Sequence, residues 1–232
     1  MPAKTAKAGG AKPARARAMG EDVAMVDAEQ PAQAHVDGRT ARAERTRRAI
    51  VEAHFALICE GDLKPTGERI AQRAGVSLRA LWANFKDMEA LFAATGELLA
   101  EWQDAVHHPV SPDLPLSARL EEFCRQRMRM LEIVAPSARA SQLKEPFSPQ
   151  LRRNRAKAIG RVRAEIEEVF AQELAVAGAG RERLLHALTV ATTWSAWAML
   201  RDELGLEAEE ACAVMTHTVA ALLTSAIAAG LR

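Results

Sequence analysis

The sequence predicts an all-α protein: a small three-helix head followed by a larger helical bundle. Three observations carry this. Apolar residues make up 49% of the chain, mostly Ala and Leu, and there is no tyrosine; Ala, Leu, Glu and Arg lose little side-chain entropy in a helix. Valine and threonine are scattered singly, and no run alternates with period two as a half-buried strand would. Apolar residues instead recur at helical spacing between Gly and Pro breaks, giving about nine helices in total. At 232 residues the chain is long enough to bury a real core.

Residues 1–38 are rich in Ala, Gly, Pro, Lys and Arg and show no hydrophobic periodicity, so they are predicted to form a disordered basic tail. Helical patterning begins near Thr40. Ile50, Ala53 and Leu57 share one face, and Gly61 is placed to stop the helix. Thr66 is the candidate N-cap of a short second helix with Ile70, Ala71 and Ala74 inward. Gly75 supplies the sharp turn, and Ser77 caps a third helix, Leu78–Phe85, whose Leu81 and Phe85 lie four apart on a buried face. Two short helices about a tight glycine turn form a helix-turn-helix within a head of residues 39–86; alone it is a weak signal, since many helical proteins contain such a corner.

Asp87 caps a fourth helix reaching about Trp102, and Pro109, Pro112 and Pro115 mark a linker from His107 to Leu116. Helices follow near 116–134, 137–144, 149–176, 181–204 and 207–229, with breaks at Pro136, Pro146/Pro149, Gly178/Gly180 and Gly205. Residues 87–232 are therefore expected to be a second, larger domain.

The net charge is only +1, yet the N-terminal end is basic: Lys4, Lys7, Lys12, Arg15 and Arg17, then Arg39, Arg42, Arg45, Arg47 and Arg48. That asymmetry suits a polyanion partner, although for residues 1–20 a solvated tail accounts for it equally well. Cys59, Cys124 and Cys212 are too few and too widely spaced for a disulfide framework or a zinc site, and read as buried, reduced thiols. Without an apolar leader or ~18 uninterrupted apolar residues, the expected location is cytoplasmic, with no membrane partner. No nucleophile elbow, Walker loop, dinucleotide fingerprint or zinc-protease motif is present, so no enzyme, cofactor or metal is expected.

The stretch Thr46–Phe92 resembles the TetR family of bacterial transcriptional regulators. The matching residues are Ala53, Leu57, Gly61, Thr66, Ile70-Ala71, Ala74-Gly75-Val76-Ser77, Leu81-Trp82, Phe85 and Glu89-Ala90-Leu91-Phe92, kept without a gap. Three positions depart from the family pattern. Trp82 stands where tyrosine is usual, Met88 where a phosphate-binding lysine is usual, and Gly67 where an apolar residue is usual. Lys86 is the nearest substitute for the missing lysine, and Gly67 is expected to loosen the second helix.

The second helix of such a motif enters the major groove and offers its outward N-terminal residues to base edges. Here these are Ser77, Leu78, Arg79, Ala80 and Ala83. Arg79 is the foremost reader, because guanidinium pairs bidentately with guanine. Arg47, Arg48, Thr66, Trp82, Asn84 and Lys86 are expected on phosphates. The tail is a candidate arm for the minor groove or phosphates.

The resemblance implies a homodimer through the helices near 181–204 and 207–229, matching a palindromic double-stranded DNA operator. It also implies a small-molecule effector held between the middle helices, where Trp102, Phe123, Met128, Phe147, Phe170, Trp194 and Trp197 are candidate pocket residues. The expected function is a DNA-binding transcriptional repressor released by its effector. The alternative is a helical ligand sensor or interaction protein without operator binding.

Overall fold

The computed structural model describes residues 31–230, and the side chains from Thr40 to Ala229. Residues 1–40 and 41–232 form two units, and of the first only the beginning of a helix is described. Among the described residues there are ten α-helices and no strand, one helix more than the periodicity suggests.

Helix α1 spans Pro31–Cys59. It starts nine residues before the expected Thr40, so 31–38 are helical rather than unstructured; Pro31 at the first position is pre-set for helix. Residues 1–30 of the expected tail lie outside the described residues. Helices α2 (Gly67–Arg73), α3 (Leu78–Asn84) and α4 (Met88–Val106) follow, with N-caps Thr66, Ser77 and Asp87 as expected. Gly61 and Gly75 have φ of 91° and 67°, the conformation that stops α1 and turns the chain between α2 and α3. Ile50, Ile70, Leu81, Phe85 and Leu91 close the core of the head.

The bundle departs from the expectation at three places. Helix α5 runs Leu116–Lys144 straight through Pro136. A mid-helix proline costs about 3 kcal/mol, and here α5 is pinned on both sides of it. Glu132 accepts from Trp197 Nε1 at 2.8 Å and Arg201 Nε at 3.1 Å, while Arg139 grips Asp202 with two hydrogen bonds of 2.6 and 3.0 Å. Conversely, the expected 149–176 helix is split into α6 (Pro149–Val169) and α7 (Ala171–Val176). Phe170, fully buried with non-helical φ and ψ, makes the break, and Arg119 Nη1 donates to the freed Val169 carbonyl at 2.6 Å.

The expected 181–204 helix divides into α8 (Arg181–Thr192), α9 (Trp194–Ala198) and a π turn over Met199–Glu203. Extended Thr193 separates α8 from α9, and Arg127 donates twice to the Thr192 carbonyl left open there. Helix α10 is Ala208–Gly230. The bundle core runs through Phe123, Ile166, Phe170, Leu185, Leu188 and Trp197 to Ala211, Met215, Val219 and Leu223 on one face of α10. Of the thiols only Cys124 is buried, pushed up to about 12 chiefly by that burial; Cys212 is half-buried and Cys59, ending α1, is exposed.

Candidate nucleic-acid interface and internal cavity

The helix-turn-helix is held by local devices. Thr66 Oγ1 accepts from the Arg69 amide at 3.4 Å, Ser77 Oγ from Ala80 at 3.1 Å, and Asp87 Oδ1 from Ala90 at 2.8 Å. Val76 N donates to the Ala71 carbonyl at 3.0 Å, which closes the turn behind Gly75. Leu81 and Phe85 are buried, so α3 is fixed in rotation, and Ser77, Leu78, Arg79, Trp82 and Ala83 are exposed, with Ala80 half-buried. Arg79 makes no hydrogen bond or ion pair with any described residue, which leaves all five guanidinium N–H donors open.

The residues expected on phosphates have varied surroundings. Arg47 Nη1 donates to the Asn84 carbonyl at 2.8 Å with its guanidinium 4.2 Å from the Phe85 ring centre, so it caps α3 from α1. Asn84 itself donates to the Ala80 carbonyl at 2.8 Å. Arg48 is exposed and shared between Glu52 and Glu101, a weak surface arrangement that another anion can displace. Lys86 is the most open, 3.8 Å from Asp87. Met88 packs against the core of the head, so an apolar side chain has its own use there.

Two of the three departures explain each other. A Cβ placed on Gly67 would lie 2.6 Å from Trp82 Cζ2. The missing side chain at 67 is the space into which the larger indole fits, leaving Trp82 39% exposed beside α2. Gly67 is also the first residue of α2, where Thr66 already caps the helix. It therefore loosens α2 less than an interior glycine would, contrary to the sequence expectation.

A cavity of about 610 Å³ lies between α1, α4, α5, α6 and the α8–α9 break. Of the seven aromatic and methionine candidates, Trp194 alone lines it. Phe123, Phe170 and Trp197 are core, Met128 packs against that core, Trp102 stacks edge-on against Phe55, and Phe147 is 86% exposed. The cavity's apolar wall is Ile58, Phe92, Leu99, Met130, Leu131 and Val162 instead. Its polar residues include His54, Thr95, Arg127, Lys144, Asn154 and Glu165. Burial, reinforced by the Lys144 charge and opposed by Asp62, pulls His54 down to about 4. Arg127 is lowered by burial and supported by Glu165, 3.8 Å away. At His54 the sequence signal was a polar side chain inside an otherwise apolar stripe, between Ala53 and Leu57, whereas Arg127, Lys144, Asn154 and Glu165 lie in polar stretches that give no such signal.

Helix α4 connects the two sites. Its first turn carries Asp87 and Glu89 beside the head, and Phe92, Thr95 and Leu99 further along face the cavity. Glu89 Oε2 accepts from the Gln150 amide at 2.9 Å, tying the start of α4 to the start of α6. Asn154 Nδ2 donates to the Phe92 carbonyl at 2.9 Å where Gly96 lets the two helices approach.

Helices α2 and α3 form a helix-turn-helix, a helical bundle with an internal cavity follows, and comparison with solved structures narrows the fold. A protein described as a TetR-family transcriptional regulator from Mesorhizobium loti MAFF303099 superposes with a TM-score of 0.61 at 19% identity, over 79% of this chain and 98% of that one. A transcriptional regulator from Rhodococcus sp. Rha1 gives 0.60 at 19% identity, over 80% and 97%. No protein-family model matches the sequence, and no curated protein matches it. The chain has the TetR fold.

Proposed function

We propose that the chain is a sequence-specific, double-stranded-DNA-binding transcriptional regulator that works as a homodimer and responds to a small molecule. The observation that carries this reading is the outward face of α3, where a rigidly capped helix offers Arg79 with every donor free. Arg79, Leu78, Ser77, Ala80 and Ala83 read bases; Lys86, Trp82, Thr66 and Arg48 hold phosphates. Arg47 and Asn84 act mainly by fixing the end of α3.

The dimer is supported by α10. This helix is long and apolar enough to cross a membrane, with a mean hydropathy of 1.6 over Ala208–Ala229, but its inner face packs into the bundle core. Its outer side mixes Ala213, Val214, Ala221 and Ala228 with His217, Thr218, Thr224 and Ser225, a face of small residues that lets another helix approach closely. Val214 lies on that side, and Val190, Met199 and Leu204 of the preceding segment are 69%, 53% and 61% exposed. A second copy of the same surface covers them and sets two α3 helices on the halves of a palindrome.

The cavity is the effector site, and α4 carries its state to the head. Repression relieved by the effector is the mode that the resemblance to the TetR family suggests. Selection of genomic fragments on the purified full chain is expected to enrich one palindromic motif. Arg79→Ala is expected to cost about 1–3 kcal/mol in gel-shift titration and to relax preference at one base pair in each half-site. Unchanged affinity and selectivity would remove Arg79 from the reading face.

A further inference from the structure

On the reading of the cavity as an effector site, its polar groups define the chemistry of the occupant. Thr95 Oγ1 donates its one hydrogen to the Leu91 carbonyl at 2.9 Å, so it accepts from His54 Nδ1, also at 2.9 Å. The His54 ring therefore carries its hydrogen on Nδ1, and Nε2 is a bare acceptor that no described group donates to. The ring lies 5.8 Å from the Phe92 ring centre, and the Lys144 ammonium is 5.5 Å from that same centre.

Three other cations on the cavity wall have partners: Arg155 has Glu145, Arg161 has Asp104, and Arg127 has Glu165. Lys157 on the same wall has none, and Lys144 is the cation placed at the Phe92 ring with His54. Lys144 has no ion pair or hydrogen bond with any described residue. Both groups line the cavity and approach the same Phe92 ring, one an acceptor lacking a donor and the other a donor lacking an acceptor.

A hydroxyl answers both, donating to Nε2 and accepting from the ammonium. An ether accepts only. A carboxylate suits Lys144 but turns its oxygens toward the lone pair of Nε2, and an amine has the opposite conflict. Elsewhere the deep charge is already matched, since Arg127 faces Glu165 and gives Nε and Nη2 to the Thr192 carbonyl. Most of the wall's surface is nevertheless apolar, and about 610 Å³ suits a drug-sized molecule.

We propose that the cavity binds an uncharged, mainly apolar molecule by one hydroxyl group, held between His54 Nε2 and Lys144 Nζ. Calorimetric titration of the full chain without DNA tests it with matched probes: para-phenylphenol against para-methoxybiphenyl and biphenylcarboxylate, and dodecanol against methyl dodecyl ether. The hydroxyl compound is expected to bind about tenfold tighter than its ether in at least one pair. His54→Phe is expected to abolish that preference while ether binding persists, and Lys144→Met to reduce it, with thermal melting reporting whether each variant folds.

Equal affinity for ether and hydroxyl in both pairs, a carboxylate that outcompetes both, or no binding at all would overturn the proposal, and the wild-type comparison decides even if the variants unfold. Addition of the same probes to the chain bound to its selected DNA separates the two readings. Hydroxyl-selective binding without DNA release overturns the effector role and leaves the recognition chemistry. Release by ether and hydroxyl alike does the reverse.

Discussion

The head and the bundle differ in the reach of the polar side chains that set their helix ends, mostly within one turn in the head and mostly far along the chain in the bundle. In the head, Thr66, Ser77 and Asp87 each reach an amide three residues on. Each such cap is worth about 1 kcal/mol and acts within a single turn. In the bundle, Arg119 reaches Glu173, Arg127 reaches Thr192 and Trp197 reaches Glu132, partners 54 to 65 positions apart. The head is assembled from local instructions that fix where helices start. The bundle is assembled from buried polar contacts that decide where helices break and which breaks are overridden.

The sharpest test of that contrast is the Arg119–Glu173 pair, whose side chains are almost wholly buried and meet through two hydrogen bonds of 2.7 and 2.9 Å. Arg119 also holds the Leu114 and Val169 carbonyls, so it joins the linker, α5 and the α6–α7 break. Arg119→Met leaves Glu173 buried without its partner, and the expected cost is about 3–5 kcal/mol in urea denaturation. Replacing Glu173 by leucine as well is expected to restore much of the loss, because the stranded charge is gone. A single-variant cost no larger than that of a head cap would mean that the distant contacts merely accompany the bundle packing.

His54 extends the comparison to pH. It sits on α1 of the head yet lines the bundle cavity, buried and neutral. Its pKa falls from 6.5 to about 4 on folding, so between those values the unfolded chain binds more protons than the folded one. Stability is then complete above pH 6.5 and declines as pH falls toward 4, by roughly 3 kcal/mol. Lys144 steepens the decline and Asp62 moderates it. His54→Phe removes this contribution, so wild type should show the steeper loss of urea midpoint across the window. Parallel profiles would mean that His54 gains water access and a proton without unfolding.

The same contrast explains what is legible in the sequence. The three caps, Gly61, Gly75 and the inward Leu81 and Phe85 can be read because each acts on its own turn. Pro136 cannot be read correctly, since its tolerance depends on Trp197, Arg201 and Asp202 far along the chain. Nor can the break at Phe170, where burial of the ring and the grip of Arg119 on Val169 outweigh helix propensity. The cavity is hidden for a related reason. Aromatic residues draw the eye, but Phe123, Phe170 and Trp197 fill the core, while the cavity is bounded by polar residues such as Arg127 whose partners are distant.

Gly67 and Trp82 show a non-local pairing inside the head itself, 15 positions apart but on touching helices. Gly67→Ala puts a methyl 2.6 Å from the indole. The ring must move, at an expected cost of about 1–3 kcal/mol, and DNA affinity is expected to fall with it if the indole lies on a phosphate. Trp82→Tyr withdraws the part of the ring that occupies the space, so alanine at 67 is expected to cost much less in that background. A double-mutant cycle on thermal stability and on operator binding measures the coupling. Additive effects would separate the two departures and leave the glycine as an ordinary first-turn residue; coupling above about 1 kcal/mol would establish that Gly67 and Trp82 act as one packing unit.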